Sequence, residues 1–269
     1  MGKHENGNPV GRGQDEDVED QDEEQKSKEV LSLARIPRNG AVSNGSQVLR
    51  AEEEMCAWAF DILIAHLEGD PKRPPPPDSV VRLKECGVSC PAFVTWMKRR
   101  KGAVGFSRED ADLRGCIGSL SPIPIMELGE YVLTSALRDR RFKPISLREV
   151  PKLKCHVSLL HSYEQASHAL DWTVGLHGTT ISFSDDRGVK YSATYLPEIA
   201  KEMQMTQREA IASLVKKAGY TGAVTDELLD RISLTLYQSS QARLDFDSYV
   251  AKYGRYSSRE KGQGDAFDF

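Results

Sequence analysis

Two alternating segments joined by turn residues constrain the fold of this chain more than any other feature. The segment TISFSDDRGVKYSATY (residues 180–195) alternates on both sides of Asp185, Asp186 and Gly188. Alternation of this kind around turn formers is typical of an antiparallel β-hairpin. The segment LKCHVSLL (residues 153–160) alternates as well and predicts a further strand.

Helical segments lie between the strands. The pattern predicts one helix from a cap at Ser46 to about Glu68, with Gly69 as its stop, and another behind the capping box TQRE (206–209). The segments AFVTWM (92–97), LRGCIG (113–118) and RISLTLYQ (231–238) predict strands, and KRRK (98–101) a loop. Hairpin-like strands mixed with helices predict an α+β fold with a largely antiparallel sheet.

Composition divides the chain into three parts. Residues 1–45 are polar and acidic with almost no aromatic side chains, which predicts a disordered tail. Residues 46–256 form the predicted folded domain, and residues 257–269 a flexible C-terminal tail. The run Pro74–Pro77 predicts an extended, stiff connector inside the domain.

The charge and the cysteine content of the chain limit the classes of function that can be expected. The first 30 residues hold ten acids and four bases, so the other residues carry a net charge of about +2. A body this close to neutral argues against a nucleic-acid partner. No apolar run reaches the roughly 20 residues of a membrane helix, and no secretory signal is evident. Five scattered cysteines favour free thiols in a reducing compartment.

The motif LRGCIG suggests a site around Cys116. If the strand is regular, Arg114, Cys116 and Gly118 share one face, and the guanidinium lowers the thiol pKa from about 8.5. Gly115 and Gly118 let a substrate or another backbone approach closely. The alternative is that Cys116 is a small buried residue in a crowded strand and that Arg114 pairs with a structural carboxylate.

Other side chains are candidate partners of this thiol. His177, which precedes Gly178, and His156 are each a candidate general base for Cys116. In RDRRFKP (138–144), Arg141 either binds a ligand carboxylate or phosphate bidentately, or pairs with Asp139 to stabilise the turn. Cys86 and Cys90 have no second cysteine pair to complete a zinc site, so no metal is expected.

Five motifs occur in a recognisable order and spacing: LRGCIG (113–118), LTSALRDRRFKP (133–144), LDWTVGLHG (170–178), ATYLPEIAKE (193–202) and LVKKAGY (214–220). Together they closely resemble the AMMECR family, and LRGCIG is its hallmark. The resemblance implies a compact α+β fold of two intimate lobes, with largely antiparallel sheets flanked by helices. It also implies an intracellular protein, cytoplasmic and/or nuclear, and leaves the reaction and any cofactor open.

Two functions remain open at this point. The first is a regulatory or interaction module with a cleft at LRGCIG for a protein or peptide partner, or for a small ligand. The second is a cysteine-dependent enzyme that uses Cys116 with His177 or His156 in a transfer, hydrolysis or redox step. The two functions differ in what they require: only the enzyme needs a base within hydrogen-bond reach of the Cys116 sulfur.

Overall fold

The computed structural model describes residues 49–107 and 109–254, which all fall within one compact unit. The predicted acidic tail (1–45), Ser46 and the C-terminal tail (257–269) lie outside the described residues. The predicted start of the first helix was wrong, because residues 49–52 are not helical and the helix begins at Glu53, with Glu52 as its N-cap.

The six strands form one continuous, curled antiparallel sheet, in the order β2-β1-β3-β6-β4-β5. They are Ser89–Arg99 (β1), Ala111–Pro124 (β2), Leu153–Gln165 (β3), Gly178–Ser184 (β4), Lys190–Tyr195 (β5) and Ser233–Asp245 (β6). The α+β prediction is therefore confirmed, as is the hairpin, whose arms are β4 and β5. The division into two lobes stays a prediction.

Seven α-helices accompany the sheet in the described ranges. They are Glu53–Glu68 (α1), Asp78–Glu85 (α2), Leu128–Leu137 (α3), Pro197–Glu202 (α4), Gln207–Lys217 (α5), Asp226–Arg231 (α6) and Phe246–Tyr253 (α7). Two 3₁₀ segments, Ile125–Glu127 and Leu147–Lys152, precede α3 and β3. None of these helices is both long and apolar enough to cross a membrane.

The first hydrophobic cluster joins α1, α3 and α7 to strands β1 and β3. At its centre the ring of Phe60 meets Trp96 edge-on, with 5.2 Å between centroids, and stacks on Tyr249 at 5.0 Å. Trp96 is inward-facing because β1 alternates, and its neighbours Val94 and Ala92 point into the same core. Contacts of this type stabilise the packing of helices on one sheet face.

A second cluster lies at the β4–β5–β6 half of the sheet and includes residues of α4, α5 and α6. Ile181 and Phe183 from β4 are buried there beside Ile211 and Leu214 from α5. The helix α5 begins at the predicted capping box: Thr206 accepts from the Glu209 N–H, and the Glu209 carboxylate accepts from the Thr206 N–H at 2.9 Å.

Local predictions were right where caps and turns determine the chain. Gly69 ends α1 in the left-handed conformation, with φ 73°. Pro77 is extended, with φ −72° and ψ 165°, and directly precedes α2. The prediction that residues 98–101 form a loop was wrong in part, because Lys98 and Arg99 continue β1 as partners of Asp112 and Ala111.

Candidate functional site

Cys116 lies in β2, at the edge of the sheet, and belongs to a row of polar side chains across four strands. Cys116 is paired with Thr95, Thr95 also with His156, and His156 with Arg243. Directly paired residues on neighbouring strands project to the same face. These four side chains define what we call the Cys116 face, which is opposite to the face that buries Trp96 and Val94.

The prediction that Arg114 shares a face with Cys116 was wrong. Trp96 pairs with Gly115 but Met97 pairs with Leu113, so β2 contains one extra residue at Arg114. Such a β-bulge interrupts the alternation of side chains. Arg114 consequently points to the side of the 3₁₀ segment Leu147–Lys152, where it binds Glu149.

Arg114 forms a partly buried ion pair and is not a partner of the Cys116 thiol. Its Nε donates to Glu149 Oε1 at 3.0 Å and its Nη2 to Glu149 Oε2 at 3.2 Å. Lys98 donates to the same carboxylate at 2.7 Å. Burial by itself would raise the pKa of Glu149, but the hydrogen bonds from Arg114 and Lys98 outweigh it and hold that pKa at about 2.

The sulfur of Cys116 has a hydroxyl as its neighbour. Thr95 Oγ1 donates to Cys116 Sγ at 3.0 Å. Burial raises the pKa of the Cys116 thiol, although the Thr95 hydrogen bond and the Arg141 charge both act to lower it. The carboxylates of Asp139 and Glu198 add to the rise. The expected lowering of this pKa was therefore wrong, and the thiol is neutral near pH 7.

Asp139 and Arg141 bind the backbone of β2 at Cys116. The Asp139 carboxylate accepts from the Cys116 N–H at 2.9 Å and pairs with the Arg141 guanidinium at 2.8 Å. Arg141 in turn donates to the Cys116 carbonyl oxygen at 3.1 Å. The Arg141 hydrogen bond and the Cys116 N–H outweigh burial and lower the pKa of Asp139 to about 2. The geometry shows the turn-stabilising pair that the sequence left as one alternative.

The two glycines of the motif are approached by the protein itself. A Cβ atom on Gly115 would lie 2.0 Å from the Ser135 carbonyl oxygen of α3. On Gly118 it would lie 2.2 Å from the Ala92 carbonyl oxygen and 2.4 Å from the Phe93 ring. Both positions therefore require glycine for packing within the fold.

The two candidate histidines occupy different places. The Nδ1 atom of His177 accepts from the Thr173 N–H at 3.1 Å, and its Nε2 lies 3.8 Å from Glu164. His156 is on the Cys116 face, but Thr95 stands between it and Cys116. Burial, with the charges of Arg243 and Lys154, lowers the pKa of His156 to about 3, so its ring is neutral. In the described ranges the sulfur's hydrogen-bond partner is Thr95, not a base.

Sequence reasoning missed the polar side chains that surround this row. Arg243 Nη2 donates to Gln241 Oε1 at 2.7 Å, and Gln241 Nε2 donates to Glu198 Oε1 at 3.0 Å. Gln241 and Ser239 share the face of Arg243, since they lie two and four residues before it in β6. Only Glu198 had a signal in the sequence, because it stands in the motif ATYLPEIAKE. The described residues contain no cluster of three or more metal-ligating side chains.

The chain is similar to known proteins over most of the residues that form this site. A model of the AMMECR1 family matches residues 56–242, which include LRGCIG, Asp139, Arg141, His156 and Glu198. The chain belongs to the AMMECR1 family. An uncharacterized protein of Arabidopsis thaliana is 42% identical over 206 residues, covering 76% of this chain and 90% of that protein.

Two further proteins, from Schizosaccharomyces pombe and Pyrococcus horikoshii, are also similar to this chain. An uncharacterized protein of Schizosaccharomyces pombe is 34% identical, over 74% of this chain and 95% of its own length. The crystal structure of an uncharacterized Pyrococcus horikoshii protein superposes with a TM-score of 0.55 at 25% identity, covering 71% of this chain and 90% of that one. The chain is therefore similar in fold to one solved structure, and the names of these similar proteins state no activity.

Proposed function

We propose that this AMMECR1 family protein is a non-catalytic binding module, whose ligand occupies the Cys116 face. The observation that carries the proposal is a set of buried polar atoms without hydrogen-bond partners: His156 Nε2, Glu198 Oε2 and Ser239 Oγ. Buried polar atoms of this kind are normally satisfied, so three of them on one face favour a site that a ligand completes.

The state of the thiol supports binding over nucleophilic catalysis. A catalytic cysteine needs a lowered pKa or an adjacent base. Burial raises the pKa of Cys116 instead, and the sulfur accepts a hydrogen bond from Thr95. In this proposal Cys116 contributes shape and a weak polar contact, and the ligand is a small molecule or a side chain of a peptide partner. The cytoplasmic and/or nuclear location predicted from the sequence is compatible with a small-molecule ligand and with a peptide partner.

Retention of a compound during purification tests the proposal. The full chain is purified without denaturation, and released small molecules are identified by mass spectrometry against a mock purification. We expect a compound that Cys116→Ser retains, because the serine hydroxyl can replace the thiol beside Thr95. Ser239→Leu, checked for folding by thermal unfolding, should lose it, because the larger side chain fills the face.

Three results would count against this proposal. A covalent adduct on Cys116 in the intact mass, or loss of the compound in Cys116→Ser alone, would favour the cysteine-dependent enzyme. Purification of the wild type without any enriched compound would contradict a tightly bound small molecule at this face.

A further inference from the structure

Glu198 has one satisfied and one unsatisfied carboxylate oxygen. Its Oε1 accepts from Gln241 at 3.0 Å, whereas Oε2 is fully buried and has no partner among the described residues. A carboxylate oxygen can only accept hydrogen bonds, and leaving a buried one unpaired is costly. The atom that completes this site must therefore be a donor, and a charged N–H donor suits it best.

The position of the Glu198 carboxylate is determined by a chain of hydrogen bonds. Arg243 donates to the oxygen of the Gln241 amide, and the nitrogen of that amide donates to Glu198. Both ends of Gln241 are thus engaged, which orients the Glu198 carboxylate. A site with its acceptor already oriented loses less entropy on binding.

The neighbouring unpartnered atoms are compatible with a donor-rich ligand. The ring of His156 is neutral at pH 7, so its Nε2 can accept a hydrogen bond in one tautomer. The Ser239 hydroxyl can accept as well. An anionic ligand would instead place its charge against the Glu198 carboxylate, which is unfavourable in a buried site. The charges of Arg243 and Lys154 act on His156 and would oppose a cation beside that ring, so the favourable place for a cation is at Glu198 Oε2.

We propose that the Cys116 face binds a cationic N–H donor, an ammonium or guanidinium group, whose nitrogen donates to Glu198 Oε2. This inference rests on the proposed function and names the ligand class for the same face. Two sources share the chemistry: a free small amine or guanidine, and a lysine or arginine side chain of a peptide.

Neutral isosteres separate charge from shape in the test. Butylguanidine is compared with its neutral urea analogue, N-butylurea, and the peptide acetyl-Gly-Arg-Gly-amide with the same peptide carrying citrulline. Binding to the full chain is followed at pH 7 by NMR of the histidine rings, with the His156 signal assigned by His156→Gln. Butylguanidine reports a free ligand, and the arginine peptide reports a peptide partner.

We expect at least one cationic probe to shift the His156 signal and its neutral isostere to bind roughly tenfold more weakly or not at all. Glu198→Gln should weaken binding of that cationic probe roughly tenfold. Glu198→Asp should weaken it by several-fold, because aspartate retains the charge but its shorter side chain moves the carboxylate away from the ligand. The control Glu85→Gln removes an exposed carboxylate of α2 and should leave the affinity unchanged.

Several outcomes would overturn the inference. Equal binding of charged and neutral probes would show that the face binds ligands but does not select cations, and the proposed function would stand. Unchanged affinity in Glu198→Asp would overturn the role of Glu198 even if Glu198→Gln failed to fold. Failure of every probe to shift the His156 signal would also overturn the inference of a cationic ligand. The proposed function is tested separately, by whether a compound is retained during purification.

Discussion

The carboxylate of Asp139 accepts a hydrogen bond from the backbone N–H of Cys116 over 2.9 Å. Because β2 is an edge strand, that N–H points away from the sheet, and Arg141 covers the adjacent Cys116 carbonyl oxygen. An edge with unpaired backbone groups is open to pairing with other chains. The turn after α3 thus completes the edge of the sheet at the point where LRGCIG lies.

We expect Asp139→Ala to lower the free energy of unfolding by about 3 kcal/mol, because the partly buried Cys116 N–H and the Arg141 guanidinium lose their acceptor. Urea denaturation measures the change, and Asp230→Ala, at an exposed position, is the control. Since the folded pKa of Asp139 is depressed to about 2, its contribution is present above about pH 4 and is lost as pH falls towards 2. A deficit that stays constant down to pH 2 would contradict the ion-pair contribution.

Gly115→Ala should destabilise the protein by about 3 kcal/mol or prevent folding, since the added methyl group meets a helix carbonyl at 2.0 Å. Gly105→Ala is the matched control, because its Cβ would meet only the end of the Asp110 side chain at 3.3 Å. Thermal unfolding compares the two. Equal midpoints for both variants would show that α3 can move away from β2.

The two arginines near Cys116 should have different effects on its thiol. Arg141→Gln should raise the apparent pKa of Cys116 alkylation further, because the Arg141 charge acts to lower it. Arg114→Gln should leave that pKa unchanged but reduce stability by about 3 kcal/mol, because Glu149 loses its partly buried partner. Iodoacetamide rates between pH 7 and 10, read by mass spectrometry, measure both, with exposed Cys86 as the reference for reagent access.

A lowered alkylation pKa in wild type, below about 8.5, would contradict the neutral thiol on which the binding proposal depends. An effect of Arg114→Gln on the Cys116 pKa as large as that of Arg141→Gln would contradict the placement of Arg114 by the bulge.

Protonation of His156 should weaken the fold in mild acid. The pKa of this side chain is about 3 in the folded protein and about 6.5 when unfolded. Between these values the unfolded state binds one proton more, so stability falls as pH drops through 6.5 by up to about 1.4 kcal/mol per pH unit. His156→Gln should remove this slope between pH 6.5 and 5, measured by urea denaturation in a His161→Gln background, because burial lowers the pKa of His161 as well. An unchanged slope would contradict a buried neutral ring.

Local interactions explain which elements could be predicted. The hairpin of β4 and β5, the capping box at Thr206 and the stop at Gly69 depend on residues that are close in the chain. The helices α2, α4 and α6 were not predicted; each has eight residues or fewer, which leaves little chain in which a period of 3.6 can show. Strands β2 and β6 extend well beyond the segments that their alternation indicated, because pairing with neighbouring strands determines their length.

The candidate site was only partly predictable. LRGCIG located the correct strand, and the pairing of Asp139 with Arg141 had been one of two alternatives. The predicted face of Arg114 was wrong, because one extra residue in β2 shifts the alternation of its side chains. Such a bulge depends on the partner strand and not on the local sequence alone. Thr95 carried no signal as a partner of Cys116, and the roles of His177 and His156 as bases stay predictions.

By itself, the sequence determined the α+β class, the hairpin, the capping box of α5, the stop of α1 and the family motifs, because these depend on periodicity and on neighbouring residues. Only the tertiary structure decided that Thr95 meets Cys116, that Arg114 meets Glu149 and that Glu198 meets Gln241. These pairs are separated by 21, 35 and 43 positions in the chain. Strand register and helix packing bring them together, and a shift of one residue moves a side chain to the opposite face of the sheet.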